Sequence, residues 1–440
     1  MNIIYIHTHD TGRYIEPYGY NVCTPNLMSL AKDSLLFRNC HCAGPTCSPS
    51  RAALLTGTYP HVNGMLGLAH LGFSLKDYKQ HLVNYLKENG YHTILAGVQH
   101  ETDDGALHNL SYDKVMIDDT YSKSSESEQH DTQNAKALSD YIKTTPKDTD
   151  IFISFGLFNP HRPFSEKGDV SSEYVAVPAP LPDNKETRKD FANYISGVKV
   201  ADKCVGMVID ALKQTGMYDN SLIIFTTDHG IAFPLMKCNL TDAGTGVSLI
   251  LKYPDNKMVG KSVDALVSQV DLFPTICDLA SLKIPDYVQG KSLLPILTGT
   301  AEEINTEIFS EVTYHAAYEP KRAVRTKRYK YIRLYDPDTT YVTCNIDDGY
   351  SKAALVDYGI KEVKNDVEAL YDLYLDPNEK DNLINSPKHA EILNELKEKL
   401  KDFMDATNDP LLLGKPYVEG ALVMNRNSCP GKEKFVPIQP

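Results

Sequence analysis

Short runs of apolar residues alternate along the first 280 positions with segments whose apolar residues recur at helical spacing. β-Branched and aromatic residues dominate the runs at residues 3–6, 93–97, 151–155, 222–226 and 247–252. These runs predict β-strands. Helical spacing marks residues 27–36, 82–89 and 188–214. The alternation predicts an α/β domain whose central sheet is mostly parallel and flanked by helices.

Local signals mark the ends of these helices and one loop. Thr24-Pro25 places a capping residue before a proline at the first helical position, and Gly90 and Gly216 follow the next two helices. Residues 119–131 are rich in Ser, Glu and Asp and have no hydrophobic period. We therefore expect an exposed loop at residues 119–131.

The pattern changes near residue 300. Residues 307–312, 322–334 and 368–375 predict antiparallel strands, and residues 387–404 predict an amphipathic helix. We expect a large catalytic domain at residues 1–300. A smaller C-terminal α+β domain with an antiparallel sheet would occupy residues 301–440 and help to close the substrate pocket.

The composition of the chain limits the classes of partner that the protein is expected to bind. The chain has 440 residues, more than one compact core usually takes, and a formal net charge of -13. This charge disfavours nucleic acid and requires a focused positive site for any anionic substrate. No apolar run approaches the roughly 18–20 residues of a membrane span, and no signal peptide begins the sequence, so we expect a cytoplasmic protein without a membrane partner. The nine cysteines are an odd number, which predicts free thiols.

Residues 47–57 read CSPSRAALLTG and carry the most informative chemistry. Pro49 and the following apolar run place Cys47 at the start of a helix, where backbone N–H groups and the helix dipole favour an anion. Arg51 lies one turn further on the same face. A nucleophile beside a guanidinium at a positive helix end suits attack on a sulfate or phosphate ester.

Two predicted strands end in pairs of metal-binding residue types. The first strand leads to His9-Asp10, and the strand at residues 222–226 leads to Asp228-His229. Because the carboxyl ends of parallel strands meet at one crevice, these residues and Cys47 form a candidate metal site. Two imidazoles make this site softer than the all-oxygen site of calcium, so manganese or zinc stays open.

The segment CSPSRAALLTG together with the two strand-end pairs resembles the type I sulfatases, and the resemblance extends over nearly the whole chain. It implies an alkaline-phosphatase-like fold, one divalent metal ion with calcium expected first, and a formylglycine made from Cys47 by a maturation enzyme. Those sulfatases typically carry Asp-Asp where this chain has His9-Asp10.

Further roles follow from the same resemblance. His161, in the segment NPHR, would bind sulfate or protonate the leaving group, Lys237 would contact sulfate, and His100 would act as the base that releases sulfate. Many sulfatases have a Lys two residues before that histidine, where this chain has Val98. One hydroxyl of the formylglycine hydrate would attack sulfur while Arg51 stabilises its oxyanion, and the other hydroxyl would expel sulfate.

The subfamily resemblance is to heparan N-sulfatases, and it implies a sulfated amino sugar as the substrate. It rests on the cysteine segment, the segment HVNGMLGL at residues 61–68 and the segment DHGIAFP at residues 228–234. It also assigns substrate contacts to Asn159, Arg162 and Asp409, although Asp409 could equally belong to a loop that caps the last helix. Three alternatives stay open: a phosphonate monoesterase or phosphodiesterase, an O-sulfatase acting on another sugar or aryl sulfate, and a non-catalytic sugar-binding protein.

Overall fold

The computed structural model describes residues 1–116, 127–146, 149–426 and 435–439. In these ranges no helix combines the length and apolar character of a membrane span. The strands, in chain order, are β1 (Asn2–Thr8), β2 (Leu35–Phe37), β3 (Cys40–His41), β4 (His92–Gly97), β5 (Lys114–Val115), β6 (Ile151–Gly156), β7 (Ser221–Thr227), β8 (Gly246–Val247), β9 (Leu249–Lys252), β10 (Lys261–Val263), β11 (Val267–Ser268), β12 (Glu307–Tyr314), β13 (Tyr318–Thr326), β14 (Tyr329–Leu334), β15 (Glu368–Asp372), β16 (Leu422–Val423) and β17 (Val436–Pro437).

The longer helices pack apolar residues against these strands. They are α1 (Pro25–Lys32), α2 (Cys47–Thr56), α3 (Pro60–Asn63), α4 (Leu82–Glu88), α5 (Ser127–Thr144), α6 (Lys185–Thr215), α7 (Asp242–Thr245), α8 (Leu272–Leu279), α9 (Leu294–Leu297), α10 (Tyr350–Asp357) and α11 (Ala390–Ala406).

The large sheet has eight strands in the order β10-β2-β9-β7-β1-β6-β4-β5, and its central pairs from β7 to β5 are parallel. Side chains alternate between its faces, so that Ile4 and Ile6 of β1 pack with α5 and α6. Ile3 and Tyr5 point to the opposite face and pack with α4 and α8. Helices on both faces of a mostly parallel sheet confirm the predicted α/β fold.

A second, three-stranded sheet in the order β11-β3-β8 also lies in the first 300 residues, and the predicted antiparallel sheet is found in the C-terminal region. Strands β12 to β15 form an antiparallel sheet, and α11 packs on it through Leu396, Leu400 and Met404. Backbone contacts join this sheet to the large domain, because the amide of Glu311 donates to the carbonyl oxygen of Ala43 at 2.8 Å. The domain division at residue 300 stays a prediction.

Three local predictions were wrong. Helix α1 ends at Lys32, and Leu35–Phe37 forms β2 instead, because these consecutive apolar residues are buried between β9 and β10. The strand expected at residues 247–252 is two strands in different sheets, divided at Ser248. The expected loop at residues 119–131 is helical from Ser127 onward, and its residues 119–126 lie outside the described ranges.

The cysteine prediction holds for seven cysteines, which are free thiols in the structure: Cys23, Cys40, Cys42, Cys47, Cys204, Cys238 and Cys277. Cys429 lies outside the described residues.

Candidate active site

The candidate site lies where four parallel strands end side by side. Thr8 pairs with Thr227, His7 with Gly156, and Gly97 with Gly156. The segments that follow β1, β7, β6 and β4 therefore leave the sheet at the same edge. This register is the reason that His9, Asp10, Asp228, His229, His161 and His100 converge although 220 positions separate the first from the last.

Cys47 is the first residue of α2, as its sequence context predicts, and only 3% of it is exposed. Its Sγ lies 3.5 Å from Nε2 of His229. Burial raises the pKa of the Cys47 thiol far above its usual value, although Lys237 opposes this effect. The unmodified thiol is therefore neutral at pH 7 and a poor nucleophile.

Asp228 organises the crevice with both carboxylate oxygens. Its Oδ1 accepts hydrogen bonds from the backbone amides of Asp10 at 2.9 Å and His229 at 3.0 Å. Its Oδ2 accepts from Arg51 at 3.0 Å and lies 3.3 Å from Nδ1 of His9. Burial alone would raise the pKa of Asp228, but His229 and Arg51 hold it well below its usual range.

Arg51 is buried beside this carboxylate. Its guanidinium also donates to the carbonyl oxygen of Thr8 at 3.1 Å and contacts Nδ1 of His7. Burial opposes the charged form, yet Asp228 raises the pKa of Arg51 above its usual value, so the guanidinium stays charged. Arg51 therefore acts first as the counter-charge of Asp228.

Several acceptors face one another at the predicted metal position. Nδ1 of His229 donates to the carbonyl oxygen of Gly230 at 2.8 Å, which orients Nε2 toward the carboxylates. Nε2 lies 3.2 Å from Oδ1 of Asp10 and 3.6 Å from Oδ2 of Asp228. Within the described residues, neither oxygen of the fully buried Asp10 has a hydrogen-bond partner.

Such an arrangement of acceptors needs a cation among them. Candidate ligand atoms of Asp10, Cys47, Asp228 and His229 all lie within 4.8 Å of one another, and a second set combines His9, Asp10, Cys47 and His161. The residues therefore fit a divalent ion. A donor set of carboxylates and imidazoles suits manganese or zinc as well as calcium.

Asp10 adopts an unusual backbone conformation for this purpose. Its φ of 53° lies in the left-handed region, which residues other than glycine rarely adopt. The hydrogen bond from its amide to Asp228 holds the turn, which directs the carboxylate toward the ligand cluster.

Lys237 lies between two carboxylates, those of Asp10 and Asp347. Its Nζ is 3.5 Å from Oδ1 of Asp10 and 3.0 Å from Oδ2 of Asp347. Burial alone would lower the pKa of Lys237, but these carboxylates raise it well above its usual value. Lys237 therefore supplies a fixed positive charge beside the candidate metal ligand Asp10.

The two remaining histidines line the same opening. Nδ1 of His161 donates to the carbonyl oxygen of Arg162, so that Nε2 of His161 points toward Asp10 and lies 3.8 Å from its Oδ2. The ring of His100 meets that of His9 edge to face, with centroids 5.0 Å apart. Burial lowers the pKa of His100, so its ring is neutral and can accept a proton.

The three residues that are predicted to contact substrate each have a protein partner in this structure. Arg162 forms a bidentate pair with Asp190 at 2.7 and 2.9 Å, and Asn159 donates to Asp131 at 2.8 Å. Asp409 is paired with Arg322 and accepts the backbone amide of Leu411, as a capping residue does. These three residues lie outside the described lining of the cavity, and their substrate contacts stay predictions.

A cavity of about 490 Å³ opens above Cys47, a size suited to a small saccharide. His100, His161 and Lys237 line it from the first 300 residues, and His315 and Asp347 line it from the C-terminal region. Sequence reasoning missed His315 and Asp347 because neither lies in a motif or after a strand of the large sheet.

Comparisons with known proteins show the family of this chain. The family profile "Sulfatase" matches residues 1–282, and the profile "N-sulphoglucosamine sulphohydrolase, C-terminal" matches residues 236–349. An ulvan-active sulfatase of Formosa agariphila is 29% identical over 416 residues, which cover 90% of this chain and 78% of that protein. Human N-sulphoglucosamine sulphohydrolase is 29% identical over 445 residues, covering 88% of this chain and 86% of the human protein.

A solved structure shares the fold at lower identity. The phosphonate monoester hydrolase of Silicibacter pomeroyi superposes with a TM-score of 0.73 at 20% identity, covering 97% of this chain and 99% of the other. It confirms the alkaline-phosphatase-like architecture. The "Sulfatase" family profile matches well over half of the present chain. The chain therefore belongs to the sulfatase family and is a sulfuric ester hydrolase.

Proposed function

We propose that this protein hydrolyses a sulfate ester or sulfamate of an amino sugar, using a formylglycine derived from Cys47 and one divalent metal ion. The observation that carries the proposal is the convergence of Cys47, at the start of α2, with the two strand-end pairs in one buried cluster. The similarity to human N-sulphoglucosamine sulphohydrolase over most of both chains supports an N-sulfated sugar.

The environment of Cys47 supports the proposed conversion of this residue. A buried thiol with a raised pKa cannot attack an anionic sulfate group at useful rates. A formylglycine hydrate would supply two hydroxyls on one carbon, one to attack sulfur and one whose deprotonation releases sulfate.

Asp10, Asp228 and His229 would hold the metal ion, with His9 beside them. A divalent ion there would acidify the nucleophile and neutralise charge on the transferring sulfate oxygens. Lys237 would bind those oxygens with its fixed positive charge. His161 would add a contact, and in its protonated form it would protonate the departing nitrogen or oxygen.

His100 would act as the base, because its neutral ring can take the proton that is lost when sulfate leaves. With a sulfamate the overall reaction converts R–NH–SO₃⁻ and water into R–NH₃⁺ and sulfate. The S–N bond breaks and its electron pair stays on nitrogen.

The test is co-expression with a formylglycine-generating enzyme, followed by measurement of sulfate released from N-sulfoglucosamine and from glucosamine 6-sulfate. We expect preferred turnover of the N-sulfated sugar. Cys47→Ala should fold normally and release no sulfate, whereas Cys23→Ala, which removes an exposed thiol, should retain activity. Sulfate release by Cys47→Ala would reject the proposal.

Turnover of only the 6-sulfated sugar would support the proposed mechanism but would reject the N-sulfated sugar as the substrate.

The phosphonate monoesterase alternative has the shared fold in its favour. A sulfate and a phosphonate monoester with the same leaving group distinguish the two, and faster cleavage of the phosphonate would favour the alternative.

A further inference from the structure

His315 lines the catalytic cavity but has no place in the chemistry described so far. It follows Tyr314, which pairs with Tyr318 where β12 turns into β13. Only 5% of the residue is exposed. Its backbone amide donates to the carbonyl oxygen of Ala317 at 3.1 Å, which closes the turn tightly.

The turn is anchored to the segment that carries Asp347. The backbone amide of Ala317 donates to Oδ1 of Asn345 at 2.8 Å, and Nδ2 of Asn345 donates to Glu319 at 2.9 Å. His315 and Asp347 are therefore fixed on one rigid unit beside Lys237. A substrate in the cavity would meet preorganised groups there.

Nδ1 of His315 is buried, yet it finds no hydrogen-bond partner among the residues that the structure describes. A buried polar atom without a partner is costly and usually indicates a missing ligand or water. Burial, aided by Lys237, lowers the pKa of His315 to about 3. The ring is therefore neutral at pH 7, with one nitrogen able to accept a hydrogen bond.

This acceptor complements one of the two possible scissile bonds. The bridging nitrogen of a sulfamate carries a hydrogen, whereas the bridging oxygen of a sulfate ester carries none. Lys237 can only donate, and Asp347 is paired with Lys237. In the tautomer that carries its proton on Nε2, Nδ1 of His315 is an acceptor without a donor of its own among the described residues.

We propose that Nδ1 of His315 accepts a hydrogen bond from the bridging N–H of a sulfamate, which makes His315 a specificity-determining residue for N-sulfated over O-sulfated sugars. This inference rests on the proposed function, because it concerns the same cavity and the same reaction. A site built to bind an N–H discriminates strongly against the analogue that lacks it.

The test compares N-sulfoglucosamine with glucose 2-sulfate, two substrates that differ only in NH against O at the scissile position. We expect the protein to favour the sulfamate in kcat/KM. His315→Leu removes the acceptor and should reduce this preference roughly 10-fold to 100-fold. His108→Leu, at an exposed position away from the cavity lining, should leave the preference unchanged.

A pair of polar variants makes the test independent of how well leucine is tolerated. The amide of His315→Asn occupies the position of Nδ1 and should keep most of the preference. The amide of His315→Gln corresponds to Nε2 and should lose the preference as leucine does.

Equal effects of Leu, Asn and Gln on both substrates would overturn the inference, as would a protein that does not favour the sulfamate. Either result would leave the sulfatase chemistry intact. Absence of sulfate release from both substrates, with formylglycine confirmed by peptide mass, would instead reject the proposed function.

Discussion

The buried pair of Arg51 and Asp228 gives a prediction about stability that is independent of turnover. Arg51 is 1% exposed, and the Asp228 side chain is fully buried. Replacing Arg51 by methionine keeps much of its volume but leaves the carboxylate without its counter-charge. Removing one partner of such a pair costs about 3–5 kcal/mol, because an uncompensated charge remains in the interior.

The contacts of Arg51 support the upper half of this range. Its guanidinium also donates to the Thr8 carbonyl oxygen, which Thr227 Oγ1 contacts at 3.4 Å as a second donor, so losing Arg51 adds a further cost of about 1 kcal/mol. Part of the loss would be recovered by protonation of Asp228. We therefore expect R51M to lower the free energy of unfolding by about 4 kcal/mol at pH 7.

The assay is urea denaturation of the metal-free protein, followed by fluorescence and circular dichroism. R188M is the matched control, because Arg188 pairs with Asp183 at the surface and its loss should change stability by less than about 1 kcal/mol. In a double-mutant cycle with D228N, the coupling energy should exceed about 1 kcal/mol. A loss for R51M no larger than that for R188M would refute the reasoning.

Three other predictions concern charge and proton binding. D10N should weaken metal binding by roughly 10-fold or more, measured by metal analysis after dialysis against graded chelator, because it removes charge from the ligand cluster. K237M should lower kcat by about 100-fold or more on sulfated sugar, because a buried donor at the reacting centre is lost. Burial lowers the pKa of His81 to about 3, and its neutral Nδ1 accepts a hydrogen bond from the Val83 amide. Because the unfolded chain binds this proton more readily, the free energy of unfolding should decrease as the pH falls from 6.5 toward 3. This loss amounts to at most about 1.4 kcal/mol per pH unit, and H81N, which keeps a capping acceptor, should show a shallower decline in urea titrations at pH 4–7.

The parts of the site that sequence could predict are those tied to regular elements. His9-Asp10 and Asp228-His229 follow strands whose apolar runs are plain in the sequence. Because β1 and β7 are adjacent and parallel, residues at their ends had to meet. Cys47 carries its own helix-start signals, so its position also followed from the chain alone.

The parts that sequence missed depend on tertiary contacts. His315 belongs to a turn and Asp347 to an irregular segment, and only the packing of the C-terminal region against the crevice brings them to Lys237. Arg162 lies in a motif beside His161, but its side chain turns away to Asp190. Neighbours in sequence at a strand end can thus face opposite directions, which no spacing rule reveals.

The central place of β1 in the large sheet has a consequence for synthesis of the chain. The apolar strand Asn2–Thr8 leaves the ribosome well before its partners Ile151–Gly156 and Ser221–Thr227. At about 5–20 residues per second, the nearer partner emerges about 7–30 s later. During that interval an unpaired, strongly apolar strand is exposed, so efficient folding should depend on a chaperone that shields it until β6 and β7 arrive.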